Sequence, residues 1–68
     1  MKLKAKVSFK IGEIEIVAFG GIPQLPNITQ DGKDNMVLNS AISNVKKDLG
    51  IDLENKYPNI KGSATIYY

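Results

Sequence analysis

Cysteine and histidine are both absent from this chain of 68 residues, and arginine and tryptophan are absent as well. Without cysteine there is no disulfide framework and no thiolate metal site, and without histidine the other common transition-metal ligand is missing. A thiol nucleophile and an imidazole base are excluded on the same ground. The sequence therefore predicts a protein that is not an enzyme and that carries no cofactor and no metal.

Phosphate-binding glycine patterns and long apolar runs are lacking too. Gly20-Gly21 is only a dipeptide, which we interpret as part of a turn. The longest nearly apolar run, residues 14–22, contains Glu15 and is too short to span a bilayer, so no membrane partner is expected. Met1 is followed by a polar–apolar alternation and not by an apolar signal segment. Together with the missing cysteines, this predicts a cytoplasmic location.

The charge of the chain is nearly balanced, with a net value of +2, and every basic residue is lysine. This weak excess is compatible with nucleic-acid binding without arguing for it. The absence of arginine lowers the expectation of base-specific readout, because the planar guanidinium makes most such contacts. A hydrophobic fraction of 43% is ordinary for a globular chain and predicts one folded domain over residues 1–68. A domain of this size is marginally stable, and oligomerisation is the one common reinforcement left to it.

Alternating polar and apolar residues predict two strands at the start of the chain. Over residues 2–10 apolar side chains alternate with lysine and serine, which is the period of a half-buried strand. A second strand is predicted at about 13–19. The segment 20–33 is predicted to be a long loop, because Pro23 and Pro26 disfavour both a helix and a central strand.

The two strands are expected to form a hairpin around an Ile11-Gly12 turn, since glycine tolerates positive φ. In that register Lys10 faces Glu13, so lysines pair with glutamates on one face and apolar residues pair on the other. Cross-strand pairs of this kind contribute roughly 0.2–1 kcal/mol each.

One helix and a third strand complete the predicted elements. Apolar residues at helical spacing predict a helix at about 34–49, with Asp31 or Asp34 capping its start and Gly50 in a left-handed C-cap. The last strand is predicted at about 60–68.

The order ββαβ predicts an α+β fold: a small two-layer domain with a three-stranded, mainly antiparallel sheet covered on one face by the helix. The third strand most simply lies beside the first, in the order 2-1-3; pairing with the second strand is the alternative. Both edges of such a sheet are open, so a homodimer through a sheet edge or face is also expected as an option. Val17 and Phe19 are apolar on the outer face, which indicates a cover there, either a second copy or the loop 20–33.

The outer face of the sheet is one candidate binding surface. Lysines flanked by aromatic residues can hold single-stranded nucleic acid through phosphate contacts and stacking. The alternative is a solvated lysine face that discourages edge aggregation, and Glu13 and Glu15 on the same face weaken the case for binding. The candidate residues are Lys2, Lys4, Lys6, Lys10, Phe19, Lys61 and Tyr67.

The loop 20–33 is the other candidate surface. Its apolar residues Ile22, Leu25 and Ile28 lie in a proline-stiffened segment, which suits protein recognition because stiffness lowers the ordering cost of binding. The alternative is that these side chains fold down and close one end of the core.

These features together predict a small binding or regulatory protein whose partner is a protein, in the manner of an inhibitor or adaptor. A nucleic-acid-binding module using the lysine-rich face is the alternative function. Lysine, isoleucine, asparagine and tyrosine are frequent, and their AT-rich codons suggest a phage or other mobile element as the source.

Overall fold

The computed structural model describes residues 3–68, and the predicted α+β architecture is confirmed. In chain order the elements are β1 (Lys4–Ile11), β2 (Ile14–Gly21), α1 (Gln30–Leu49), α2 (Leu53–Lys56), a 3₁₀ turn (Ile60–Ser63) and β3 (Ala64–Tyr67). All strand pairs are antiparallel, and the sheet order is β2-β1-β3, as expected. The first strand is predicted to begin at residue 2, which lies outside the described residues.

The hairpin register differs from the predicted one by two residues. The turn residues are Gly12 and Glu13, and Lys10 pairs with Glu15 instead of Glu13. Gly12 occupies the first turn position and has φ 61°. A two-residue hairpin turn of this type requires a positive φ at that position. Isoleucine does not adopt that conformation readily, which explains why the predicted Ile11-Gly12 turn is wrong. Because the shift is even, every residue that remains paired in the hairpin stays on its predicted face.

The connection between β2 and α1 is shorter than predicted. β2 continues to Gly21 and α1 begins at Gln30, so 22–29 replaces the expected loop 20–33. Thr29 is the N-cap, and its hydroxyl accepts a hydrogen bond from the Gly32 amide at 3.1 Å, a role that the sequence assigned to an aspartate. Gly32 lies inside the first turn, where its low helix propensity conceals the true start of the helix.

The last strand is half as long as predicted. Residues 60–63 form the 3₁₀ turn, and only Ala64–Tyr67 pair with β1. Ile60 is 2% exposed and belongs to the core. The 3₁₀ turn therefore buries this side chain although the residue is not part of a strand. The short helix α2 precedes it, capped by the Asp52 carboxylate, and its Leu53 is fully buried.

The core lies between α1 and one face of the sheet. Burying an aliphatic or aromatic side chain of this kind contributes about 1.5–3 kcal/mol, so these contacts hold the two layers together. The opposite face of the sheet has no helix over it, and it is the candidate surface described next. The buried apolar residues are Ala5, Val7, Phe9, Val37, Ala41, Ile42, Val45, Leu53 and Ile60.

Candidate functional site

The outer face of the sheet carries a row of side chains that crosses all three strands. The register places Lys6 between Phe19 on β2 and Tyr67 on β3. Both rings are more than half exposed, at 56% and 55%. The Lys6 ammonium lies 5.6 Å from the centroid of the Tyr67 ring, which is a cation–π distance. We call Phe19, Lys6 and Tyr67 the aromatic–lysine row.

Positive charge extends to both sides of this row. Lys4 and Lys10 lie on the same face of β1, before and after Lys6. The one carboxylate on this face of the paired strands is Glu15, which accepts a hydrogen bond from the buried Ser8 hydroxyl at 2.8 Å. Glu13, predicted to share this face, sits in the turn instead. Lysines therefore outnumber carboxylates on the described outer face.

One of the predicted lysines, Lys61, does not join this face. Lys61 lies in the 3₁₀ turn, because the strand expected there begins only at Ala64. Its ammonium is 3.5 Å from the Glu54 carboxylate on α2 and 3.3 Å from the Asn35 side-chain oxygen on α1, so it belongs to the helical layer. Lys2 lies outside the described residues.

The edge of β2 can be assigned from the hydrogen bonds of the hairpin. The Ile22 amide donates to the Leu3 carbonyl at 2.8 Å, which identifies that position as a hydrogen-bonded pair. Such pairs alternate with non-bonded pairs along an antiparallel ladder. Residues 14, 16, 18 and 20 therefore bond to β1, while Glu15, Val17, Phe19 and Gly21 turn their backbone groups toward the free edge.

Half of this free edge is sealed by α1. The Gly21 amide donates to the Ser40 hydroxyl at 2.8 Å, and the Asn44 side-chain amide donates to the Phe19 carbonyl at 2.7 Å. Ser40 and Asn44 are four residues apart, so they lie on one side of the helix and take the place of a neighbouring strand. No hydrogen bond from residues 3–68 covers the edge at Glu15 and Val17 in this way, and we call these two residues the open edge.

A groove of about 470 Å³ runs beside the open edge, between β2 and the end of α1. Its apolar walls include Val17, 45% exposed, and Leu49, 61% exposed. Phe19 also lines the groove, together with two lysines, Lys4 and Lys47, and one aspartate, Asp48, so the groove mixes apolar and charged side chains. The sequence predicts open sheet edges as candidate surfaces but does not assign this groove or these residues, because only the register shows which backbone groups of β2 point outward.

The connection 22–29 exposes less apolar surface than its sequence suggested. Ile22 is half-buried and packs against the core, and Ile28 is half-buried as well. Leu25 is 56% exposed, so it alone of the three predicted loop residues presents a largely free apolar side chain.

A cluster of hydrogen-bonded side chains lies at the start of α1. The Tyr68 hydroxyl donates a hydrogen bond to the Asp34 carboxylate, and the Gln30 side chain donates to the same oxygen at 2.8 Å. The bond from Tyr68 lowers the pKa of Asp34, whereas desolvation, followed by the bond to Asp34, raises the pKa of Tyr68 to about 12. The Lys33 ammonium lies 4.8 Å from the centroid of the Tyr68 ring. The cluster ties the residue after β3 to the helix.

Comparisons with protein-family models, with curated proteins and with solved structures gave no match for this chain. Within residues 3–68 no three acidic side chains come together in a way that would hold a metal ion. None of the helices in that range is long and apolar enough to cross a membrane. The roles of individual residues therefore rest on their geometry.

Proposed function

We propose that this protein is a non-enzymatic binding protein that recognises a protein partner through the open edge of β2 and the groove beside it. The observation that carries the proposal is the half-sealed edge. Ser40 and Asn44 cover the backbone at Phe19 and Gly21, while the backbone of Val17 is left facing solvent beside its exposed side chain.

An extended segment of the partner fits this surface as a fourth strand. Added strands bind through main-chain hydrogen bonds, and alternate side chains enter pockets that give specificity. Here the amide and carbonyl groups of Glu15 and Val17 supply the main-chain contacts. An apolar side chain of the partner would then pack in the groove against Val17 and Leu49.

The size of the surface favours a transient, regulatory interaction. Two residues of edge and one groove fall at the small end of protein interfaces, below about 1,200 Å² in total. Such contact suits an inhibitor or adaptor. The cytoplasmic location and the phage or mobile-element context rest on residue usage alone and form part of the same proposal.

The test is selection of peptides from a random display library on the immobilised protein. We expect the selected peptides to have alternating apolar residues. Val17→Pro should lower their affinity about tenfold or more, because proline removes the outward amide of residue 17 and spares the hydrogen bonds between β2 and β1. Leu25→Asp is the matched control and should leave the affinity unchanged. Affinities are measured by fluorescence polarisation on variants whose thermal unfolding shows that they fold.

The opposite pattern would contradict the proposal. If Leu25→Asp abolishes binding and Val17→Pro does not, the connection 22–29 is the recognition surface. If the free protein sediments as a dimer that Val17→Pro dissociates, the open edge is occupied by a second copy of the chain.

A further inference from the structure

We propose that the outer face of the sheet is a second binding site, for single-stranded nucleic acid, which adjoins the groove beside the open edge and shares Lys4 and Phe19 with it. Bases would stack on Phe19 and Tyr67, and phosphates would contact Lys4, Lys6 and Lys10. Two properties of this face carry the inference: the spacing of the exposed rings and the positive charge of the lysines.

The two rings are placed like a pair of stacking platforms. Phe19 and Tyr67 occupy the same row on strands that flank β1, so two strand spacings, about 10 Å, separate their backbones. Both rings are more than half exposed and stand on the face that lacks a helix. Bases stack on such rings with little sequence preference, because every base has a π-face.

Within residues 3–68 no ion pair joins a lysine of this face to a carboxylate, although Glu15 lies opposite Lys10 in the register. The ion pairs found in residues 3–68 are Lys46–Asp52 and Lys61–Glu54, and both lie in the helical layer. Lys4 and Lys6 are two residues apart, about 7 Å along the strand, and Lys10 lies about 13 Å beyond Lys6. Three lysine ammonium groups along one strand present a line of positive charge to an anionic backbone.

The exposed rings of this face favour single strands over duplexes, because stacking on Phe19 and Tyr67 requires unpaired bases. Lysine contributes a point charge without the planar fork that reads base edges. The site should therefore bind single-stranded DNA or RNA with weak sequence preference.

The experiment is fluorescence anisotropy with a labelled oligothymidylate of about 12 nucleotides, at low salt and then at rising salt. Three phosphate contacts predict a slope of about −2 in log affinity against log salt. Lys6→Glu should weaken binding at least about tenfold, since it replaces a phosphate contact with repulsion. Tyr67→Ala should weaken it about five- to a hundredfold, whereas Tyr67→Phe, which keeps the ring, should bind as the wild type does.

Lys46→Glu is the matched control, because it makes the same charge change in the helical layer, where Lys46 pairs with Asp52, and not on the outer face. It should change the affinity by less than about twofold. A duplex of the same length should bind at least about tenfold more weakly than the single strand, because it offers no free base for stacking. If Tyr67→Ala fails to fold, Lys6→Glu and the comparison with the duplex still decide the question.

Several results would overturn the inference. Absence of binding at low salt would do so, as would equal losses for Lys6→Glu and Lys46→Glu, since binding would then follow net charge alone. Displacement of the oligonucleotide by polyglutamate as readily as by unlabelled oligothymidylate would instead point to an acidic protein as the occupant.

Discussion

Gly20 is the residue on which the contact between helix and sheet depends. A Cβ atom at this position would lie 2.2 Å from the backbone carbonyl oxygen of Val37, far inside van der Waals distance. Since that atom belongs to the helix backbone, it cannot rotate away, and α1 would have to shift. The sequence pair Gly20-Gly21 was interpreted as a turn, yet Gly20 lies in the strand, where only a glycine admits the helix this closely.

We expect Gly20→Ala to lower the free energy of unfolding by about 1–3 kcal/mol, the usual cost of overpacking a core. Gly62→Ala is the control, because a Cβ there meets nothing within 4 Å and the residue has no positive φ. It should change stability by less than about 0.5 kcal/mol. Urea unfolding followed by circular dichroism measures both, and equal stabilities would contradict the packing argument.

The bond between Tyr68 and Asp34 predicts a pH dependence of stability. The bond lowers the pKa of Asp34 below its ordinary value of 3.8. The stability that the charged Asp34 contributes to the fold is therefore fully present above pH 3.8, and it is lost as the pH falls through the lower pKa of the folded state. The raised pKa of Tyr68, about 12, makes its own contribution full below pH 10 and lost as the pH rises through 12.

The variant Tyr68→Phe isolates this bond. It should be less stable than the wild type at neutral pH, and the difference should shrink as the pH falls below 3.8. Thermal unfolding of both proteins between pH 2 and pH 7 measures the difference. A difference that stays constant across this range would show that the bond does not depend on the charge of Asp34.

At the scale of elements, the sequence predicts what periodicity encodes and misses what depends on distant contacts. Alternation in β1 predicts its two faces correctly, and the alternation is unaffected by the two-residue error in the hairpin register. The start of α1 is missed because Gly32 interrupts the helix signal, and β3 is overextended because Ile60 is apolar in a 3₁₀ turn as it would be in a strand.

The same distinction holds for the candidate sites. The outer position of Lys6, Phe19 and Tyr67 follows from alternation once the sheet order 2-1-3 is accepted, and the structure places these residues in one row. The sealing of the β2 edge by Ser40 and Asn44 has no such signature, because polar residues on a helix usually face water. The hydrogen bonds of Ser40 and Asn44 to β2 form only because α1 packs beside the edge of that strand, and the local sequence does not encode this placement.

At the scale of the whole molecule, the two proposed sites must share a small surface. Even a small interface of about 1,200 Å² in total takes about 600 Å² from each partner, which is roughly one-eighth of the 4770 Å² exposed by this chain. Both sites lie on β2, one on its outer face and one along its free edge, and Val17 borders each of them. A large partner at the open edge would therefore cover part of the outer face, so the two kinds of ligand are expected to compete.

The central claim, that the edge of β2 is sealed at one end and open at the other, is tested most directly by amide hydrogen exchange read residue by residue by NMR. In the free protein the Gly21 amide should be protected by Ser40, while the Val17 amide should exchange fast; with a selected peptide bound, Val17 should become protected. Fast exchange at Gly21, or a Val17 amide that stays unprotected in the complex, would contradict the account.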